Sequence, residues 1–237
     1  MTPLAVVQLG KVSYAAGLDA QKVHHAEVLA ARDRGSPEPG RLLVCEHVPP
    51  VITVTRRPGA AGNVLAGPEV LRARGIEVAE TDRGGDVTYH GPGQLVVYPI
   101  LDLNTIGLNL HAYMRLLEDA VIDALRGLGV EGDREAGATG VWVREGGGTA
   151  AAGDGVAKLC AMGVRVRRWV TMHGLALNVR PDLEHFELIV PCGLAGRRVT
   201  SLEKVLGAAC PDMPEVAERV TASLSSAVRR VREAAAG

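Results

Sequence analysis

Aromatic residues are scarce in this chain: they fill 3% of its 237 positions, with one phenylalanine and two tryptophans. A core must therefore be assembled from Val, Leu, Ile and Ala. An excess of charge is also missing. Lys and Arg number 26 against 27 Asp and Glu, a formal net charge of -1, which argues against a nucleic-acid binder driven by phosphate neutralisation. No apolar run approaches the roughly 20 residues that cross a bilayer. The first ten residues have neither the basic region and apolar stretch of a signal peptide nor the Arg- and Ser-rich character of a transit peptide. These absences point to a cytoplasmic protein with no nucleic-acid and no membrane partner. Cysteine is sparse too: Cys45, Cys160, Cys192 and Cys210 show no paired metal-ligand spacing and no compact disulfide pattern. No metal is expected, and each cysteine is either a small buried apolar residue or a reactive thiol of a reducing compartment.

What is present is an ordinary globular balance, 47% hydrophobic and 22% charged. The pattern predicts helices over 17–32, 68–74, 109–128, 201–206 and 214–233, with a short one over 182–189. It predicts strands over 41–46, 51–55, 76–80, 94–100, 140–144, 156–167 and 170–179. Helix 109–128 is the clearest, with Leu110, Met114, Leu117, Val121, Leu125 and Leu128 at three- and four-residue spacings. Residues 82–93 read as a Gly-rich loop, and 145–155 as a flexible Gly/Ala insertion. No repeat and no interdomain linker is evident. The expected architecture is a single α/β domain over 1–237, with a mixed, largely antiparallel sheet flanked by helices.

Three segments could carry chemistry. The first runs Arg83, Gly84, Gly85, Asp86, Val87, Thr88, Tyr89, His90 and on to Gln94. Its four glycines, one proline and one histidine describe a loop whose backbone can approach a ligand and present N–H groups to it; an ordinary surface loop would look the same. The second is the strand from Lys158 to Arg167. Strict alternation puts Lys158 on one face with Cys160, Met162, Val164 and Val166, where an ammonium is a misfit. It either snorkels to water from the strand's mouth or stands partly desolvated beside a pocket. The third is Pro191-Cys192-Gly193, a cysteine on a rigid bend. Cys45 and Cys160, inside β-type apolar runs, fit an inert thiol better, and Cys210 falls in a loop before Pro211.

The stretches RGGDVTYHGPGQLVVYPILDL (83–103), KLCAMGVRVRRWVTMHGLALNV (158–179) and VPCGL (190–194), followed by Val199-Thr200-Ser201-Leu202, resemble in that order the octanoyltransferase family of lipoate biosynthesis. The resemblance implies the fold of biotin protein ligases and lipoate ligases. It implies that Cys192 is acylated as a thioester and that Lys158 lowers its pKa. Arg83 to His90, Ala161-Met162-Gly163 and Gly174-Leu175-Ala176 would bind the acyl substrate. Octanoyl-acyl carrier protein would be the donor. The acceptors would be lipoyl domains of 2-oxoacid dehydrogenase complexes and the glycine cleavage H protein, and no cofactor is implied.

The chemistry suits those residues. An acyl-enzyme divides transfer between two macromolecules into two exchanges, and a thioester costs little to form from a thioester. A free thiol with a pKa of roughly 8.5 is only a few per cent ionised at neutral pH, so an ammonium near Cys192 would favour the thiolate. His90 and His173 are candidates to assist or to polarise the carbonyl, and equally candidates for structural histidines. Backbone N–H groups at Gly193 or at Gly84-Gly85 could serve an oxyanion. The alternatives are an amidotransferase or an ATP-dependent lipoate ligase on the same scaffold, an inert acyl-binding protein, and a Cys-His hydrolase.

Overall fold

The computed structural model describes residues 4–144, 155–190 and 197–236. In it the chain builds two sheets. The larger runs in the order β1 (Ala5–Val12), β2 (Gly40–His47), β6 (Gln94–Leu101), β10 (Val170–Asn178), β9 (Val156–Arg167), β8 (Ala138–Arg144) and β7 (Gly132–Glu135), with β11 (Arg198–Val199) also paired to β9. The smaller has β3 (Val51–Thr55) between β4 (Glu77–Thr81) and β5 (Val87–His90). Pairing is antiparallel except for β1 with β2, β3 with β4 and β11 with β9. The sheet is thus mixed and largely antiparallel, as its sequence pattern predicts.

The helices are α1 (Tyr14–Asp33), α2 (Pro68–Ala73), α3 (Leu103–Ile106), α4 (Leu110–Arg126), α5 (Leu202–Leu206) and α6 (Met213–Ala236). Helix α4 begins at Asn109, whose side chain accepts from the Ala112 N–H at 2.9 Å. Its apolar stripe packs with α6 on one face of the large sheet. Leu95, Val97, Leu117, Val121, Val141, Val143, Leu159, Cys160, Leu175, Leu177 and Val220 share that core, each large aliphatic worth roughly 1.5–3 kcal/mol of burial. Helix α1 covers the opposite face, where Val28 meets Leu43, Cys45, Val96, Tyr98 and Ala176. Gly17 is what lets α1 lie so close, since a Cβ there would come within 2.8 Å of the His47 ring.

Several expectations need correction. Residues 82–93 are not all loop: β5 lies inside them, held to β3 by antiparallel pairing from Val51↔His90 to Val54↔Val87. The helix expected over 182–189 is a 3-10 turn, Leu183–Leu188. Strands β1, β7 and β11 and helix α3 were not expected. The insertion expected over 145–155 lies, apart from Gly155, outside the described residues.

The alternation expected for β9 also fails. Val141 pairs with Cys160 but Trp142 pairs with Lys158, so Leu159 is an extra residue, a β-bulge. Leu159 and Cys160 consequently both enter the α4-side core. Lys158 leaves the face of Cys160, Met162, Val164 and Val166 and joins Trp142 on the face of α1.

Candidate functional site

A partly enclosed cleft opens on that α1 face of the large sheet. Its floor is a row of small residues on adjacent strands, Ala161 and Gly163 of β9 facing Ala176 and Gly174 of β10. Met162 and Leu175, whose side chains turn to the α4-side core, also border it, Tyr14 comes from α1 and Tyr98 from β6, and Arg83, Thr88 and His90 come from the Gly-rich stretch. His173 also lines it. Ten residues named from the sequence therefore meet in one cleft. Gly84, Gly85, Asp86, Val87 and Tyr89 lie outside its lining. Val87 and Tyr89 are instead buried in the core between the small sheet and the 183–188 turn.

Arg83, Tyr14, Tyr98, His90 and His173 are each held from behind by hydrogen bonds. The Arg83 guanidinium donates to the carbonyl and hydroxyl of Thr53 and to the carbonyls of Gly84 and Asp86, at 3.0 to 3.3 Å. The Gly84 N–H is spent on the Val164 carbonyl at 2.8 Å, which removes it from the candidate oxyanion donors. Tyr14 donates its hydroxyl to Thr81 Oγ1 at 2.8 Å. His47 Nδ1 lies 3.1 Å from the Val12 carbonyl, which can only accept, so Nε2 accepts the Tyr98 hydroxyl at 2.6 Å.

The two cleft histidines are neutral near pH 7. Burial, with the ring of His47 next in weight, brings the pKa of His90 down to about 3. Burial and the guanidinia of Arg83 and Arg165 bring that of His173 down to about 4. His173 Nε2 stands 2.9 Å from Asp82, but that carboxylate is also bound by Arg165, so the contact is a neutral N–H donating to a carboxylate. His173 has a left-handed backbone, φ 58°, which brings its side chain to the α1 side although Leu175 and Leu177 point to α4. Gln21 of α1 secures it by accepting its N–H at 2.7 Å. Neither ring is a cation that could polarise a carbonyl at neutral pH.

Lys158 is buried, 8% exposed, with its ammonium 4.7 Å from the centre of the Trp142 ring. The Arg197 guanidinium lies 5.5 Å from the same ring. An indole face holds a desolvated cation by roughly 0.5–2 kcal/mol. Of the cysteines, Cys45 and Cys160 are buried with thiols pushed up to about 12 by desolvation, and burial raises Cys210 as well. None of these three is poised as a thiolate. Cys192 and Gly193 lie outside the described residues, but both flanks of their segment are fixed. Val190 donates its N–H to the Asn63 carbonyl at 2.8 Å, and Asn63 in turn donates to Asp86 at 2.7 Å. On the other side Val199 pairs with Lys158, and the Thr200 N–H donates to the Lys158 carbonyl at 3.0 Å.

Sequence reasoning missed Tyr14 and Tyr98 of the lining, and the buried polar residues Gln21, Gln94 and Asn178 behind it. The one available signal was a polar residue in a buried strand, at Gln94 and Asn178. Among the described residues no group of His, Cys, Asp and Glu is arranged to hold a metal ion, and no helix is long and apolar enough to cross a membrane.

Residues 19–225 match the model of the lipoyl protein ligase A/B catalytic domain. The chain is 48% identical over 225 residues to an octanoyltransferase of Chloroflexus aurantiacus, covering 94% of this chain and 93% of the relative. It is 46% identical over 198 residues to one of Bacteroides fragilis, covering 84% and 86%. Its fold is similar to that of a putative lipoate protein ligase from T. acidophilum with bound lipoic acid, with TM-score 0.67, 16% identity and coverage of 96% and 87%. It is similar also to biotin protein ligase from Aquifex aeolicus in complex with biotin and ATP, with TM-score 0.56, 15% identity and coverage of 97% and 72%.

Proposed function

The chain belongs to the lipoyl protein ligase A/B catalytic-domain family, and we propose a two-step route for the reaction it catalyses. It is an acyltransferase, and it transfers octanoyl groups in protein lipoylation. In the first step the Cys192 thiolate attacks the thioester carbonyl of octanoyl-acyl carrier protein, forming the acyl-enzyme. The carrier thiolate leaves and takes a proton from the Lys158 ammonium. In the second step the lysine amine of a lipoyl domain attacks the acyl-enzyme carbonyl. An amide forms, the Cys192 sulfur departs, and the amine's surplus proton returns to Lys158. Lipoyl domains of 2-oxoacid dehydrogenases and the glycine cleavage H protein are the acceptor class.

The observation that carries this reading is the bulge at Leu159. It moves Lys158 from the dry face of the sheet to the face of the cleft, over Trp142, and its strand pairs with the residues that follow Cys192 by only a few positions. A buried ammonium in that place favours ionisation of a nearby thiol. The three described cysteines, with raised pKa values, do not compete for the role.

The test is intact-protein mass spectrometry after mixing with octanoyl-acyl carrier protein. A hydroxylamine-sensitive octanoyl adduct is expected on the wild type, Cys45→Ser and Cys160→Ser, and not on Cys192→Ser. An adduct that persists in Cys192→Ser overturns the route.

A further inference from the structure

Behind the cleft runs a line of buried hydrogen bonds whose direction is fixed at one end. His90 Nδ1 lies 2.8 Å from Gln94 Oε1. Gln94 Nε2 lies 2.9 Å from Asn178 Oδ1 and 3.3 Å from the Tyr89 carbonyl. Asn178 Nδ2 lies 2.9 Å from the Thr200 carbonyl. Gln94 and Asn178 are register partners on β6 and β10 and are 1% and 4% exposed. A carbonyl oxygen only accepts, so Thr200 requires the amide nitrogen of Asn178. The Asn178 oxygen then faces Gln94, which must supply its own nitrogen, and the Tyr89 carbonyl demands the same. Turning either amide over would set oxygen against oxygen in a buried site. The Gln94 oxygen is therefore the group that meets His90, and His90 must donate to it from Nδ1.

We propose that Gln94 and Asn178 are positioning residues that lock His90 in its Nδ1–H tautomer, so that the cleft receives a bare Nε2 acting only as a hydrogen-bond acceptor. Among the described residues Nε2 has no hydrogen-bond partner, and His90 lines the cleft. Burial keeps the ring neutral down to about pH 3, so acidification within the working range does not add a proton to Nε2. The ligand group it takes is an N–H or S–H donor. A thioester carbonyl, which only accepts, is repelled from this position. In the proposed route, on which this step of the inference rests, two groups bring such a hydrogen: the attacking lysine amine and the departing carrier thiol. Thr200 also donates its N–H to the Lys158 carbonyl, so the line that fixes His90 ends on the strand segment that carries Lys158.

The tautomer is read directly by long-range proton–nitrogen NMR on enzyme labelled at histidine nitrogen, with His90→Gln assigning the signal. The expected wild-type pattern is a protonated Nδ1 and an imine-type Nε2, unchanged between pH 8 and pH 5. Gln94→Leu should mix the tautomers and slow single-turnover transfer about tenfold, the loss of one buried hydrogen bond. Gln94→Glu keeps an acceptor at Nδ1 and should restore the Nδ1–H tautomer, but its second oxygen faces Asn178 Oδ1 and the Tyr89 carbonyl, so it should lower stability and recover only part of the rate. Asn178→Leu leaves the Tyr89 carbonyl to orient Gln94, so its effect should be smaller. A slow acylation half-reaction in Gln94→Leu assigns the donor as the thiol, and a slow transfer half-reaction assigns it as the amine. An Nε2–H tautomer in the wild type overturns the proposal. So does Gln94→Leu with unchanged tautomer and rates. The nitrogen spectrum needs no acyl donor, so it stands or falls separately from the identity of the acylated cysteine.

Discussion

The two faces of the large sheet are built by different rules. On the α4 and α6 side, β6 and β10 contribute every second residue, Leu95 and Val97 beside Leu175 and Leu177, and the result is dry. On the α1 side the same strands present Gln94, Tyr98, Gly174 and Asn178, and three local departures act there. A bulge at Leu159 re-aims Lys158, a left-handed His173 re-aims an imidazole, and Gly163 opens space for the Arg83–Gly84 turn. The regular face supplies rigidity, and the irregular face spends it on holding polar groups out of water. Substitutions on the first should move stability, and substitutions on the second should move chemistry.

The largest expected effect is on the irregular face. Lys158→Ala should cut octanoyl transfer at least about a hundredfold, the scale of a lost acid–base group, and should slow iodoacetamide alkylation of Cys192 near neutral pH. Lys158→Arg keeps the charge but cannot give up a proton, so recovery of alkylation without recovery of transfer would separate the two roles of the lysine. An unchanged alkylation profile with full turnover in Lys158→Ala would remove it from the mechanism. On the regular face the counterpart is Leu117→Ala. It empties a fully buried position of α4 and should cost about 2–5 kcal/mol in urea unfolding, with turnover per folded molecule unchanged. If that variant lost turnover without stability, the contrast between the faces would fail.

The regular face was largely legible in the sequence, because alternation in β6 and β10 and the three-four spacing of α4 are direct records of one-sided burial. On the irregular face the sequence marked the Gly-rich stretch and the misfit Lys158, but the individual binding positions were named only by resemblance. Alternation assigned Lys158 to the wrong side because Leu159 and Cys160 are both apolar, and a bulge between them leaves no trace in a hydrophobic pattern. Nothing at His173 announces a positive φ. Gln94 and Asn178 are 84 positions apart, so their partnership exists only once β6 pairs with β10. Strand β1 escaped notice for a different reason. It lies at the sheet edge, largely exposed, with a register shift between Gln8 and Gly10, and so lacks a clean period.

The buried histidines give the contrast a pH dependence. An unfolded histidine has a pKa of roughly 6.5, against about 3 for His90 and about 4 for His173 in the fold; burial also lowers His47 and His25. The unfolded chain therefore binds more protons below pH 6.5. The stability these neutral rings carry is complete above that pH and is lost as pH falls towards 4 and then 3, by up to about 1.4 kcal/mol per pH unit for each ring. Urea midpoints measured from pH 7 to pH 5 should fall. The fall should be shallower in His90→Gln and unaltered in Leu117→Ala. Equal slopes in the wild type and His90→Gln would mean that His90 is protonated in the fold.

The smallest expected effect tests the cleft floor alone. A Cβ on Gly163 would stand 2.8 Å from the Gly84 carbonyl oxygen and 3.1 Å from Arg83 Cδ. The turn cannot simply lift away, since the Gly84 N–H is bonded to Val164 and the Arg83 guanidinium to Thr53. Gly163→Ala must therefore shift Arg83 and Gly84 by some tenths of an ångström over the floor. Stability should change little, because replacing glycine in a strand returns roughly 0.5–1 kcal/mol of backbone entropy against a clash of similar size. The kinetic consequence depends on what the turn contacts. If Arg83 and its neighbours bind the acyl group equally in the ground and transition states, KM for the octanoyl donor should rise a fewfold with kcat held. A fall in kcat at constant KM would mean instead that this turn acts on the reacting carbonyl, and the cleft floor would then belong to the catalytic machinery and not to acyl binding.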